Sequence, residues 1–326
     1  MHGHPEIWGV TLADPETDIP SQIVFQKYLN ANDGHLAKAK DQLLKTLQWR
    51  ADTKPLELIE KEYTREKFYG LGYVTTYYND TAATYKSDEP ETKEVFTWNI
   101  YGNAKDKTAT FGEIDEFIKW RVVLMELALQ DLSLATATKE ITADYDPYKI
   151  SQVHDYKSIS FLRKSSEVKG ASKTTIEVFA QNYPELLKEK FFVNVPAIMG
   201  IFYTFMKVFV AAKTVKKFHP LSNGSSLAKE LSSSKVVGLG EKLPSEYGGK
   251  GEKLSTALSK QPKLAAAVVV PEAAPAEEAP EEDTAPAAEP TAEPATEVAA
   301  DASAEPVKDA TSTAEAAVAA KEEVKA

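Results

Sequence analysis

His154 and Tyr156 stand two residues apart in a run, Gln152 to Phe161, whose composition predicts a β-strand. That spacing puts both side chains on one face of a strand, so both can enter a single pocket. A tyrosine phenolate can ligate ferric haem iron, and a neighbouring histidine can hydrogen-bond it and keep it deprotonated. An isolated His and Tyr on a strand are more often structural, so the residues alone leave ligation and packing both open. Hydrolytic or phosphoryl chemistry has no comparable foothold. The chain has no Gly-x-Ser-x-Gly elbow, no Gly-rich phosphate loop after a strand and no His-Glu-x-x-His metal motif. Glu113 and Glu116 suit a solvated helix start better than a general acid and base.

The elements that must position this pair alternate in kind. A helical unit is predicted from Ser21 to Tyr69, with Ile23, Val24, Tyr28 and Leu29 at helical spacing and a second apolar stripe of Leu36, Ala39, Leu43, Leu44 and Leu47. Asp33-Gly34 supplies the turn between them. After Gly70-Leu71-Gly72, strands are predicted over 73–78, 94–101, 152–161, 191–194 and 218–221. Helices are predicted over 111–132, 171–182, 195–215 and 227–232. Such alternation predicts an α/β fold with a mostly parallel sheet covered by helices.

Composition limits the partners. From about Leu264 onward the chain is Ala, Pro, Glu, Thr and Val without an aromatic residue, which predicts a disordered tail. Residues 271–326 carry 15 acids and 3 lysines, about -12, against -11 for all 326 residues, so the folded part is near neutral. A near-neutral body with an acidic tail argues against nucleic acid. The absence of cysteine excludes disulfides, thiolate metal sites and thiol catalysis and suggests an intracellular protein. No signal peptide is recognised at the N-terminus. The longest apolar run, 195–212, contains Pro196, Gly200 and a central Lys207, which makes it a poor bilayer span and predicts a buried or interfacial helix.

Four ordered motifs carry a resemblance. They are Gln152-Val153-His154-Asp155-Tyr156, Asn182-Tyr183-Pro184-Glu185, Phe192-Val193-Asn194-Val195-Pro196 and Leu243-Pro244-Ser245-Glu246-Tyr247-Gly248-Gly249. Upstream, Leu36-Ala37-Lys38-Ala39 with Leu43-Leu44, Leu47 and Trp49-Arg50 resembles the helical N-terminal segment of the same group. Over roughly residues 21–253 the chain resembles the fungal CRAL-TRIO, or Sec-fourteen-like, phosphatidylinositol transfer proteins, and within them the haem-binding subfamily. The resemblance implies a helical N-terminal unit over 1–70 and a CRAL-TRIO domain over 71–253, and the compositionally disordered tail over 254–326 lies outside it. It implies a non-catalytic carrier of phosphatidylinositol that visits membrane surfaces, cytoplasmic with peripheral attachment to the endoplasmic reticulum.

The resemblance also assigns roles. The apolar segment 195–215 becomes a gate helix over the lipid, with Phe202, Tyr203, Phe205, Met206 and Phe209 distributed around it. Glu185 and Lys217 become the headgroup pair, Glu185 accepting inositol hydroxyls and Lys217 neutralising phosphate. Without the resemblance, Glu185 reads as an acid at a helix start and Lys217 as one of a solvated cluster with Lys213 and Lys216. His154 and Tyr156 become the contacts to a ferric haem b, with Tyr156 on the iron. Propionates would then need partners, for which Arg121, Tyr101 and Lys190 are the candidates, although isolated Arg and Lys more often reach to solvent. A dedicated haemoprotein in which lipid transfer is secondary, and a membrane-associated scaffold working through its acidic tail, remain as alternatives. Removal of residues 253–326 is expected to leave the fold intact.

Overall fold

A short hairpin, β1 (Glu6–Ile7) with β2 (Val10–Thr11), leads into the first helix, α1 (Ile19–Ala31). Asp18 starts that helix by accepting from the Ser21 N–H at 2.9 Å, and a proline fills its first turn. Asp33 and Gly34, at φ 52° and 81°, make the left-handed turn into α2 (Leu36–Thr53). Two short helices follow, α3 (Pro55–Ile59) and α4 (Arg65–Phe68). The predicted stripe on α2 is only partly inward. Leu43 and Leu47 pack on the core, whereas Leu36 and Leu44 are exposed. The computed structural model describes residues 5–157, 166–195, 212–232, 234–256 and 259–267.

Five strands form the sheet in sequence order: β3 (Gly72–Tyr78), β4 (Lys93–Ile100), β5 (Ile150–Asp155), β6 (Leu187–Val193) and β7 (Phe218–Pro220). β3 pairs antiparallel with β4, and every later pairing is parallel. Between β4 and β5 run α5 (Lys107–Gly112) and α6 (Ile114–Leu132). The one helix predicted over 111–132 is thus divided at Gly112-Glu113. α7 (Ser166–Asn182) connects β5 to β6, and α8 (Ala212–Val215) precedes β7. Two short helices close the body, α9 (Leu227–Glu230) and α10 (Leu239–Lys242). The predicted gate segment lies in large part outside the described residues, as does 158–161 of the expected strand.

All six residues of β5 are buried, as expected of a parallel strand covered on both faces. One face presents Phe96, Trp98, Val153, Phe191 and Val193 to Leu227, Leu239, Leu243 and Tyr247. The opposite face meets α6, whose Trp120 stacks on Phe68 with ring centroids 5.2 Å apart. Gly72 is required beneath that ring, because a Cβ there would sit 2.7 Å from Trp120. Each large apolar side chain buried by α6 contributes about 1.5–3 kcal/mol.

The N-terminal residues share this core, since Ile7, Trp8, Val24 and Tyr28 join one cluster with Val74, Trp120 and Ile150. Arg50 on α2 is fully buried and pairs with Glu126 and Glu6, each at 2.7 Å, and the Tyr183 hydroxyl donates to Glu126 at 2.7 Å. A buried charge survives only with such partners. Contacts join the chain into one unit through Val269. Residues 254–256 and 259–267, expected in the tail, lie against the body instead. Leu254 is buried, Lys260 exchanges backbone hydrogen bonds with Val74 at 2.7 and 2.9 Å, and Tyr63 bonds to Lys263 and Ala265. These contacts run against the expectation that removing residues 253–326 leaves the fold intact, because this segment hydrogen-bonds to the outer edge of β3. No helix of the described residues is long and apolar enough to cross a membrane.

Candidate functional site

Strand register decides which side chains meet. Asn99, His154 and Phe192 are neighbours across β4, β5 and β6, and Thr97, Gln152, Lys190 and Phe218 form the next row. Alternation sends both rows to the face that meets α6. Into this face α6 delivers Arg121, 3 % exposed, which donates to Asn99 Oδ1. Asn99 in turn donates to the Val153 carbonyl at 3.2 Å. The strand expected to run through Phe161 ends at Asp155, so Tyr156 follows its last residue. Its N–H still bonds the Val193 carbonyl at 3.1 Å, which carries the ring on beside His154.

Tyr101 lies just past β4 and joins the pair, its ring 5.4 Å from His154 and 5.7 Å from Tyr156. Lys190 holds its ammonium 5.5 Å from the Phe192 ring and 5.7 Å from the Phe218 ring. The five residues expected around a haem are thus brought onto one face, and neither Arg121 nor Lys190 extends freely into solvent.

The electrostatics of this face are unusual. Burial first, then the charges of Lys190 and Arg121, push the His154 imidazole well below its ordinary pKa, so it is neutral. Burial and Arg121 lower Lys190 to about 7. Burial raises the Tyr156 and Tyr101 phenols, with Arg121 opposing. The charges that act on His154 are those of Lys190 and Arg121, and Arg121 is the charge that acts on Lys190. Among the described residues His154 Nε2, Arg121 Nε and Thr97 Oγ1 are buried without hydrogen-bond partners. Such orphaned groups cost about 1–3 kcal/mol each and favour a ligand that answers them.

This donor set fits haem in kind: a phenol oxygen and an imidazole on one face, with cations that could meet carboxylates. No group of three or more His, Cys, Asp or Glu among the described residues could hold a bare metal ion.

A second cluster lies where α7 turns into β6. Glu185 does not start a helix, contrary to expectation. It sits at φ 55° in the turn between Asn182 and Leu187, with its carboxylate 3.4 Å from Lys213 and 3.9 Å from Lys217. Lys217 also donates to the Leu187 carbonyl at 2.9 Å, and burial lowers its pKa. Lys216 is exposed, so of the adjacent lysines Lys217 is the one turned toward Glu185. Sequence reading missed Lys27, whose ammonium reaches this turn from α1 and donates to the Glu185 carbonyl at 3.0 Å. Nothing local marks it, because its partners are more than a hundred residues away. A cleft of about 400 Å³ lies on the other face of the sheet, where Lys188 pairs with Glu94 and His219 with Glu189.

Comparison with known proteins agrees with this architecture. The family model described as the CRAL/TRIO domain matches residues 84–249. A phosphatidylinositol transfer protein SFH5 of Chaetomium globosum is 71% identical over 252 residues, covering 77% of this chain and 57% of that protein. The Neurospora crassa protein of the same description is 61% identical over 262 residues, covering 80% of this chain and 71% of its own length. The chain therefore spans little more than half the length of the first of these and under three quarters of the second. A crystal structure of Sfh5 superposes with a TM-score of 0.57 at 31% identity, covering 69% of this chain and 75% of that one. With its sheet order, its motifs and its relatives in agreement, the chain belongs to the CRAL-TRIO family.

Proposed function

We propose that the chain binds phosphatidylinositol and carries it between membranes without chemical turnover. The observation that carries this reading is the Glu185 carboxylate held between Lys213 and Lys217. A carboxylate has only acceptor sites and so suits the inositol hydroxyls, while the ammonium groups suit the phosphate diester. The named relatives are phosphatidylinositol transfer proteins, which supports the same ligand. A carrier must leave one bilayer to reach another, so its place is the cytoplasm, with transient attachment to the endoplasmic reticulum and other membranes. Glu185→Ala together with Lys217→Ala should lower phosphatidylinositol transfer between vesicles at least tenfold, since each charged hydrogen bond is worth about 1.5–3 kcal/mol. Native circular dichroism with undiminished transfer would remove the headgroup assignment.

A ferric haem b is the second proposed ligand, favoured by the two cations, the neutral imidazole and the phenols gathered on one face. Tyr156 would ligate the iron, His154 would hold the phenolate by a hydrogen bond, and Arg121, Lys190 and Tyr101 would meet the propionates. When bound, the ferric centre supplies the positive charge that stabilises a tyrosinate otherwise protonated at neutral pH. Tyr156→Phe keeps the ring and deletes the ligand oxygen. Protein from haem-supplied cells should show visible absorbance that this substitution abolishes or shifts. A colourless wild type, or an unchanged Tyr156→Phe spectrum, leaves the carrier reading alone.

A further inference from the structure

The side chain that reaches the Glu185 turn from α1 does so with all of its hydrogen-bonding capacity. Lys27 is fully buried, and its three N–H groups are all engaged, at 2.9 and 2.7 Å to the two Asp146 oxygens and at 3.0 Å to the Glu185 carbonyl. Glu185 is held at φ 55°, a conformation that costs a non-glycine residue free energy unless its surroundings impose it. The C-terminal end of α1 reaches the opposite side of the same cluster. Lys213 donates to the Asn30 carbonyl at 2.9 Å and lies 3.4 Å from Asp33. One helix thus holds the backbone of the acid and the side chain of a facing lysine.

We infer that α1 is a positioning element of the headgroup site, in which Lys27, braced by Asp146, fixes the Glu185 turn while Asn30 and Asp33 orient Lys213. This rests on the headgroup reading of Glu185 and extends it to the N-terminal unit. The ion pair is a directional clamp rather than a net source of stability, because two desolvated charges offset much of their own attraction. Its removal should blur the placement of the Glu185 carboxylate, and with it the distinction between inositol and other headgroups.

The full-length chain would be incubated with vesicles of equal phosphatidylinositol and phosphatidylcholine, and the extracted lipids measured by mass spectrometry beside a melting curve. Glu185→Ala and Lys27→Met should both lower the extracted inositol-to-choline lipid ratio, by about tenfold. A purely structural role for Lys27 would lower both lipids together and leave the ratio unchanged. Should Lys27→Met not fold, the apolar pair Lys27→Met with Asp146→Leu takes its place, since it removes both charges of the fully buried pair and leaves only the part-exposed Lys149 without its partner. A lowered ratio in the folded Lys27 variant supports the inference. An unchanged ratio there beside a lowered one in Glu185→Ala overturns the inference alone, and an unchanged ratio in Glu185→Ala overturns the headgroup reading beneath it.

Discussion

Lys27 shows how one buried charge reports its surroundings. Burial is the largest influence on it and outweighs the opposing attraction of Asp146, so its pKa falls from 10.5 to about 8. The unfolded chain therefore keeps its proton between pH 8 and 10.5 while the folded chain gives it up. Below pH 8 both states are charged and the full cost of burial is present. As pH rises above 8, this group's contribution to stability climbs, by up to about 1.4 kcal/mol per unit. Lys27→Met lacks that climb, so the wild-type minus variant unfolding free energy should increase by roughly 2 kcal/mol from pH 8 to pH 10. Denaturant melts at the two pH values read it directly, and a flat difference would mean that the lysine is not desolvated as its contacts imply.

Among elements, the segment of residues 254–256 and 259–267 carries the clearest consequence. Its composition is that of a linker, and only its pairing with Val74 and Tyr63 and the packing of Leu254 and Leu264 attach it to the body. A chain ending at Ala267 should melt like the full-length protein. A chain ending at Lys253 loses those contacts, of which Leu254 alone is worth about 1.5–3 kcal/mol, and should melt roughly 5–10 °C lower. Equal melting temperatures for the two truncations would show that the segment lies on the sheet edge without stabilising it. The other elements were easier to anticipate. Strands β3, β4 and β7 begin or end within one or two residues of the runs of β-branched and aromatic residues that announced them. The misplaced boundaries were set by backbone conformation: the Gly112-Glu113 break between α5 and α6, and the left-handed Glu185, which turns the chain into β6 where a helix start was expected.

For the molecule as a whole, the sequence by itself determined the α/β class, the family motifs and the residue types offered to ligands. Hydrophobic period, turn residues and caps act over about ten residues and can be read within such a window. It also marked His154 with Tyr156, because their spacing is local. Which distant groups meet was decided only in three dimensions. Arg121 turns inward because Asn99, 22 residues earlier, accepts its hydrogen bond; Glu185 is held by a lysine 158 residues before it; and β3 is paired outward by a segment that reads as tail. The same is true of the charge states, since His154 is neutral and Lys190 titrates near 7 only because the folded sheet buries them beside Arg121. Local patterns specify elements, but a contact between remote residues depends on sheet order and burial, which belong to the assembled chain.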